Sequence, residues 1–358
     1  MFYREAGQFK TSYTADQAVF PLLQDRIGLA FILFIAFVVI PLFGNSFLLQ
    51  AMMIPFLVFS LAAIGLNILT GYTGLISLGT GAFMGVGAYA CYKLTTYFPQ
   101  VNVLVWVIGA GFVSAGVGVL FGLPSLRIKG FYLAVATLAA QFFLSWCFIR
   151  VPWLYNNNAS GAIEVPLRTL FGVPVTGATA TATTRYFVVL TVVVAMTWFA
   201  SNLVHGRIGR MWMAVRDMDI AAELIGIRLL RTKLLAFAVS SFYCGVAGAL
   251  LVFLWYGGAE PSVFDVNQSF FILFMVIIGG LGSLIGSFFG AALIFLLPIV
   301  LRFLPPKLGL QIHSATVDHM QFLIVGTLII VFLVLEPAGL ARLWSIAKQK
   351  LRVWPFPY

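Results

Sequence analysis

Charge is scarce in this sequence: Asp, Glu, Lys and Arg make up 9% of its 358 residues, while 61% are hydrophobic. Soluble domains carry about 25% charged residues, and holding this much apolar surface in water costs roughly 25 cal/mol per Å². A water-soluble globule is excluded. Cysteine is scarce as well, and Cys91, Cys147 and Cys244 all lie inside apolar runs. Neither a disulfide framework nor a zinc site is therefore expected. No GxxxxGK[ST] phosphate loop occurs, so the chain hydrolyses no nucleotide by that route. No Ser/His/Asp or Cys/His set suggests itself, and no catalytic residue is assigned. His313, Asp318 and His319 share one connection. The spacing of the two histidines does not put both imidazoles on one helical face, and no metal site is assigned. The apolar runs also lack ionisable groups. Arg150, Arg185, Arg302 and Glu336 sit at run ends, where anchoring at the membrane interface explains them, and this argues against proton coupling.

What the sequence has is apolar length. Runs able to cross a bilayer, about 20 residues each, recur at 27–43, 47–69, 75–97, 101–123, 131–150, 186–204, 234–256, 268–280, 284–303 and 319–336. They predict an all-α, polytopic transmembrane bundle of about ten spans. The first 26 residues are mixed and polar (Arg4, Glu5, Lys10, Asp16, Asp25 and Arg26), so no cleavable signal peptide is expected. Residues 1–26 read as an N-terminal segment, 27–336 as the membrane domain and 337–358 as a basic tail. The net charge of +10 is clustered, with Arg127 and Lys129 on one connection, six cations in 205–233, and Arg342, Lys348, Lys350 and Arg352 in the tail. With both termini cytoplasmic, every cluster falls on the cytoplasmic side, leaving Arg168 and Lys307 outside. The charge thus reads as topology, not as a nucleic-acid footprint. The long external connection, 151–185, is rich in Asn, Thr, Gly and Pro and reads as a folded loop. Its Asn158-Ala159-Ser160 matches a glycosylation triplet that carries little weight.

Two regions share a glycine pattern, GLISLGTGAFMG at 74–85 and GGLGSLIGSFFG at 279–290. Aligned without gaps they match at Gly74/Gly279, Gly81/Gly286, Phe83/Phe288 and Gly85/Gly290. Ridges of small residues (Ser77, Gly81, Gly85 and Gly282, Gly286, Gly290) suit close helix packing. Packing alone explains any one of these glycines. The polar content before the first ridge adds more: Asn67, Thr70, Gly71, Tyr72, Thr73, Gly74, Ser77 and Thr80 favour a helix break inside the membrane. Such backbone survives only where protein or a watery cavity covers it, and paired breaks in two repeats point to a translocation path. Tyr72, Thr73, Ser77 and Thr80 on the first interruption, with Gly280, Gly282 and Ser283 on the second, are the candidate path residues. Gly81, Gly85, Gly286 and Gly290 are the packing candidates.

The segment from Gly206 to Gly248 carries six of the 21 basic residues and three of the 11 acids. Its stretch MAVRDMDIAAELIGIRLLRTKLL is helix-compatible, with Gly226 as a break. Ala214, Ile220, Ala221, Leu224 and Ile225 leave Arg216, Asp217, Asp219 and Glu223 for a polar surface. An amphipathic loop helix lying on anionic lipid is one reading; a short helix docking into a cytoplasmic protein is the other.

RDMDIAAELIG resembles the EAA-type coupling segment of ABC importer permeases, in which Ala-Ala precedes a Gly by a few residues. Together with NILTGYTGLISLGTGAFMGVGAY and MVIIGGLGSLIGSFFGAAL, it is similar to the permease subunits of branched-chain amino acid ABC importers. The longer M type is the nearer fit, and the resemblance covers roughly residues 47 to 340. It implies a bacterial inner-membrane protein that pairs with a second, related permease and contacts membrane lipid. It also implies two cytoplasmic ATPases that hold ATP and Mg, and an external substrate-binding protein. Arg216, Asp217, Ala221, Ala222, Glu223 and Gly226 would couple to an ATPase, and the chain itself would need no cofactor. The cargo implied is a branched-chain or other apolar amino acid. Members often have His in the Ser-Leu-Gly-x-Gly-Ala-Phe stretch where this chain has Thr80, so a related branch that carries urea or short amides is the alternative. An ion-coupled carrier and a passive channel are the rivals from other classes. Neither needs the coupling segment.

Overall fold

The computed structural model describes residue 12 and residues 23–125, 132–158, 162–170, 172–177, 179–307, 314–336 and 338–353. The chain is an all-α helical bundle, and each expected span meets a helix. In chain order these are α1 (residues 23–43), α2 (Leu48–Tyr72), α3 (Thr80–Tyr97), α4 (Val103–Ser125), α5 (Tyr132–Arg150) and α6 (Ala182–His205). Two short helices follow, α7 (Arg207–Asp217) and α8 (Asp219–Leu224). Then come α9 (Leu229–Tyr256), α10 (Val266–Gly279), α11 (Leu284–Lys307), α12 (Ser314–Leu335) and α13 (Gly339–Val353). Seven of these helices contain a stretch long and apolar enough to cross a membrane; α10 and the apolar part of α12, Leu323–Phe332, are shorter.

Several helices run a few residues beyond the expected limits, and one limit differs in a way that bears on the site. The run expected at 75–97 becomes helical only at Thr80. Gly74 has φ +74°, a left-handed conformation that turns the chain out of α2. Ser77 and Gly282 accordingly stand before their helices, not on them, and only Gly81, Gly85, Gly286 and Gly290 of the two expected ridges are helical.

Helix α9 is central, packing on α2, α3 and α4. Small residues permit this. A Cβ on Gly87 of α3 would run into the backbone of Gly245 in α9, and one on Gly248 would run into the backbone of Met84. Gly65 of α2 is closed against Tyr243 in the same way. Between apolar helices in lipid, van der Waals fit replaces the hydrophobic drive, so close backbone approach is the main source of adhesion. Buried hydroxyls add directed ties. Tyr243 donates to Met196 O at 2.8 Å, fixing α9 to α6, and Tyr186 donates to Ala36 O at 2.8 Å, fixing α6 to α1.

The two ends of the bundle differ. At one end Lys348 pairs with Asp25 at 2.9 Å, which brings α13 to the start of α1. Gly339 at the head of α13 is stacked on Gly280. At the other end the connection after α5 folds into turns and two short ladders. Strand β1 (Ile163–Glu164) pairs antiparallel with β4 (Gly258–Ala259), and β2 (Thr169–Leu170) with β3 (Val173–Pro174). Lys93 holds this loop down through Asn156 Oδ1 and lies over the Trp153 ring at 4.5 Å.

The close approaches make an unequal prediction for glycine replacements. Gly87→Val or Gly248→Val should destabilise the detergent-solubilised protein by about 3 kcal/mol or more, since backbone must move. Gly116→Ala, where nothing lies within 4 Å of the added atom, should leave the melting temperature unchanged or slightly raised.

Candidate functional site: two joined interruptions and the loop beside them

The first interruption begins where α2 ends in a wide, π-helical turn, Ile68–Tyr72. Residues 74–79 then run without helical structure, so the helix that follows opens on amides with no intrahelical acceptor. Neighbouring helices supply the acceptors. Leu78 N donates to Thr137 Oγ1 at 2.9 Å and Ala82 N to Gln141 Oε1 at 2.7 Å, both on α5. Gly81 N donates to Ser269 Oγ of α10 at 2.8 Å, and that hydroxyl donates onward to Gln141 Oε1 at 2.9 Å. Gln141 Nε2 then donates to Phe264 O at 2.8 Å. Gln141 stands nine residues into α5, so at 1.5 Å per residue α3 begins roughly 14 Å inside the bundle. The interruption expected from the polar run is real, and neighbouring helices meet its inner groups while Gly74 and Ile76 stay exposed.

The second interruption, residues 280–283, separates α10 from α11. Gly280 and Gly282 have φ of +115° and +76°, which an L side chain rarely adopts. Ser283 Oγ accepts from Gly286 N at 3.1 Å at the head of α11.

Asn67 joins the two. Its side chain is fully buried near the end of α2. Its amide nitrogen donates to Ser283 O at 2.8 Å and Ser287 Oγ at 2.9 Å, with a longer contact of 3.3 Å to Gly280 O. Its oxygen accepts from Gly282 N at 2.8 Å. One carboxamide therefore ties Gly282 N, Ser283 O and Ser287 Oγ together, and Gly71 touches Gly282 with no room for a side chain between them.

The charged loop lies against this junction. The sequence suggests a helix broken at Gly226; the structure has two helices, with the chain extended at Met218, and Gly226 at φ +90° ends the second. Trp212 is fully buried and donates to Thr232 O at 3.1 Å, anchoring α7 on α9. Arg216, expected on the polar surface, is exposed there and also donates from Nη1 to Gly71 O at 2.9 Å, while Nε meets Asp217 Oδ1 at 2.9 Å. The bond to Gly71 satisfies a carbonyl that the end of α2 leaves without a helical partner. Ala222 is buried, and Ala221 and Glu223 are exposed. Among the described residues Met218, Ile220, Leu224 and Ile225 are left largely exposed, Leu224 being 84% exposed.

The remaining named residues take mostly local places. Tyr72, Thr73, Ser77 and Thr80 are all buried; Thr73 bonds Ile68 O at 3.1 Å, and Ser77 Oγ accepts from Gly79 N at 3.4 Å. Gly81 and Gly85 lie against α10, Phe264 and Phe148, while Gly286 and Gly290 lie against the end of α10. The exposed residues of the interruptions are Gly74, Ile76 and Leu281. Arg127, Lys129 and His313 lie outside the described residues, as do the side chains of Asp318 and His319. The sequence reading passed over Thr137, Gln141 and Ser269 altogether. A lone glutamine amid the apolar run of α5 is the signal that marks one of them.

The sequence that builds these parts matches a known family. Residues 48–333 match the family described as branched-chain amino acid transport system, permease component. The chain belongs to this permease family. The high-affinity branched-chain amino acid transport permease LivM of Salmonella typhimurium is 28% identical over 307 residues, covering 79% of this chain and 68% of that protein. LivM of Escherichia coli is 27% identical over the same shares. LivH of Salmonella typhimurium, the permease protein with a different letter in the same named system, is 24% identical over 66% of this chain and 79% of its own length. No solved structure matches the chain.

In this family member the Asn67 junction should be costly to break. Asn67→Leu strands the Gly282 amide and leaves the Ser283 carbonyl without its donor, lowering unfolding free energy by about 2 kcal/mol or more in detergent melts. Thr327→Leu, at an exposed hydroxyl bonded only within its own helix, should be nearly neutral.

Proposed function

We propose that this chain is the membrane-spanning permease subunit of an ATP-driven importer of branched-chain or other apolar amino acids. The single observation that carries the proposal beyond family membership is the α7–α8 loop. It holds four exposed apolar side chains beside Asp217, Asp219 and Glu223, and it is seated on the junction of the two interruptions. An exposed apolar patch rimmed by charge marks a protein contact. The partner is a cytoplasmic ATPase, which carries ATP and Mg and receives Met218, Ile220, Leu224 and Ile225 in a groove.

Orientation follows from charge. The Asp25–Lys348 pair, the Gly339–Gly280 contact and the α7–α8 loop all mark one end of the bundle. With Arg207, Arg210, Arg228 and Arg231 there, that end is cytoplasmic. The chain then sits in a bacterial inner membrane with both termini inside and the 151–185 connection facing a substrate-binding protein. LivM and LivH among the relatives support a pair of related permeases. The path runs along the side of the interruptions that bears Ile76 and Leu281, with Tyr72, Thr73, Ser77, Thr80, Gly280, Gly282 and Ser283 shaping its wall. Apolar walls suit an apolar side chain, and selectivity resides in the binding protein.

Co-expression with a related permease and the ATPases tests this. The purified assembly should retain the ATPases, and leucine presented with the binding protein should stimulate hydrolysis. Leu224→Asp should weaken ATPase retention about tenfold or more, the equivalent of about 1.4 kcal/mol. Failure to retain any ATPase sinks the proposal, and stimulation by urea or acetamide but not leucine moves the cargo to the amide class. Ser77→Leu or Thr80→Leu should abolish uptake while expression and assembly persist; normal uptake in both removes them from the path.

A further inference from the structure

Arg216 is part of the charged loop and stays partly exposed, 38% of its side chain being accessible, yet its guanidinium reaches back to the end of α2. Nη1 reaches Gly71 O at 2.9 Å, across 145 positions of sequence, and Nε is held by Asp217 Oδ1 at 2.9 Å. The loop rests on the first interruption at a second point, since a Cβ on Gly74 would meet Arg216 Cγ at 3.0 Å. It rests on the second interruption as well. A Cβ on Gly282 would lie 3.3 Å from Nη1, and Gly282 N is the donor to Asn67 Oδ1. One cation of the α7–α8 loop thus bonds the end of α2 and stands beside the turn before α11, and Asn67 stitches the last two together.

We infer that Arg216 is a positioning residue that pins the α7–α8 loop to both interruptions at once, transmitting loop movement to the path without itself meeting the partner. This deepens the functional reading above and rests on it. The chemistry requires arginine. Its planar fork sends separate N–H groups in fixed directions to a carboxylate and to a carbonyl, whereas a lysine ammonium is a point donor on a loose stem. Asp217 sets the angle of the fork. Glycine at 71 is required because a Cβ there would strike Asn67 Oδ1 and the Gly282 backbone, and glycine at 282 because φ is +76° and a Cβ would crowd Nη1 at 3.3 Å. The arrangement divides the labour of the loop: Met218, Ile220, Leu224 and Ile225 face outward to a partner, and Arg216 reaches back to the end of α2.

The test uses the full assembly in proteoliposomes and reads solute taken up per ATP hydrolysed, alongside retention of the ATPases. Arg216→Gln should keep the ATPases bound while uptake per ATP falls about tenfold, a loss of the size seen when a coupling element is cut. Arg216→Lys should recover part of that loss, and Asp217→Asn should cause a smaller one. Asn67→Asp removes the donors to the second interruption and should also lower the ratio. The double variant Arg216→Gln/Asn67→Asp should fall no more than about twofold below the worse single one, since both cut the same link. An unchanged ratio in Arg216→Gln overturns the inference. So does uptake that falls only in step with folded protein, or two losses that multiply in the double variant. Loss of the ATPases from Arg216→Gln alone would put the residue on the docking surface instead. If the parent chain retains no ATPase, the functional reading itself has failed, and the two failures are told apart.

Discussion

An interrupted backbone inside an apolar bundle needs its amides and carbonyls answered by protein, and most of this molecule can be understood from how that is done. Asn67 answers the turn before α11 with a single carboxamide, meeting Gly282 N, Ser283 O and Ser287 Oγ. Gln141, Ser269 and Thr137 answer the amides that open α3. Arg216 answers Gly71 O at the end of α2. Left unpaired at this depth, each such group costs about 1–3 kcal/mol. The interruptions therefore persist only because polar side chains on distant helices are held at the right height.

That precision comes from the seam of small residues. The close approach of α3 to α9, through Gly87 and Gly245, and the seat of Gly65 against Tyr243 fix the heights of α2 and α3. Helices that approach so closely slide little without collision, so the hydrogen-bonded junction and the packed seam constrain one another. The α7–α8 loop is attached to this frame by buried Trp212 on one side and by Arg216 on the other. Its outward face carries exposed apolar side chains. The same loop therefore has an anchored inner face and an exposed outer one, as the proposed docking role would require.

Much of this was legible in the sequence because hydropathy and glycine are local signals. Apolar runs marked every helix of the bundle, and the polar, glycine-rich stretch from Asn67 to Thr80 marked an interruption. The start of α3 was misplaced by five residues because Ile76 and Leu78 keep the hydropathy high where Gly74 has already turned the chain. Partner choice was not legible. Asn67 and Ser287 are 220 positions apart, and no periodicity relates them. The bond from Arg216 to Gly71 O was equally hidden, since a surface cation among acids gives no sign of the carbonyl 145 positions away beneath it. Gln141 offered a clue by being polar among apolar neighbours, but its bond to Phe264 O depends on how α10 is set against α5.

Under the proposed function, the two interruptions and the α7–α8 loop move as one body during transport. Spin labels at Ile76 and Leu281, the exposed residues of the two interruptions, and at Val135 on the exposed side of α5 give the direct measurement. Distances would be recorded in the full assembly with and without ATP. The Ile76–Leu281 separation should stay constant while the Ile76–Val135 separation shifts. A change between Ile76 and Leu281, with Ile76 and Val135 fixed, would contradict the view that Asn67 and Arg216 bind the interruptions into a single moving unit.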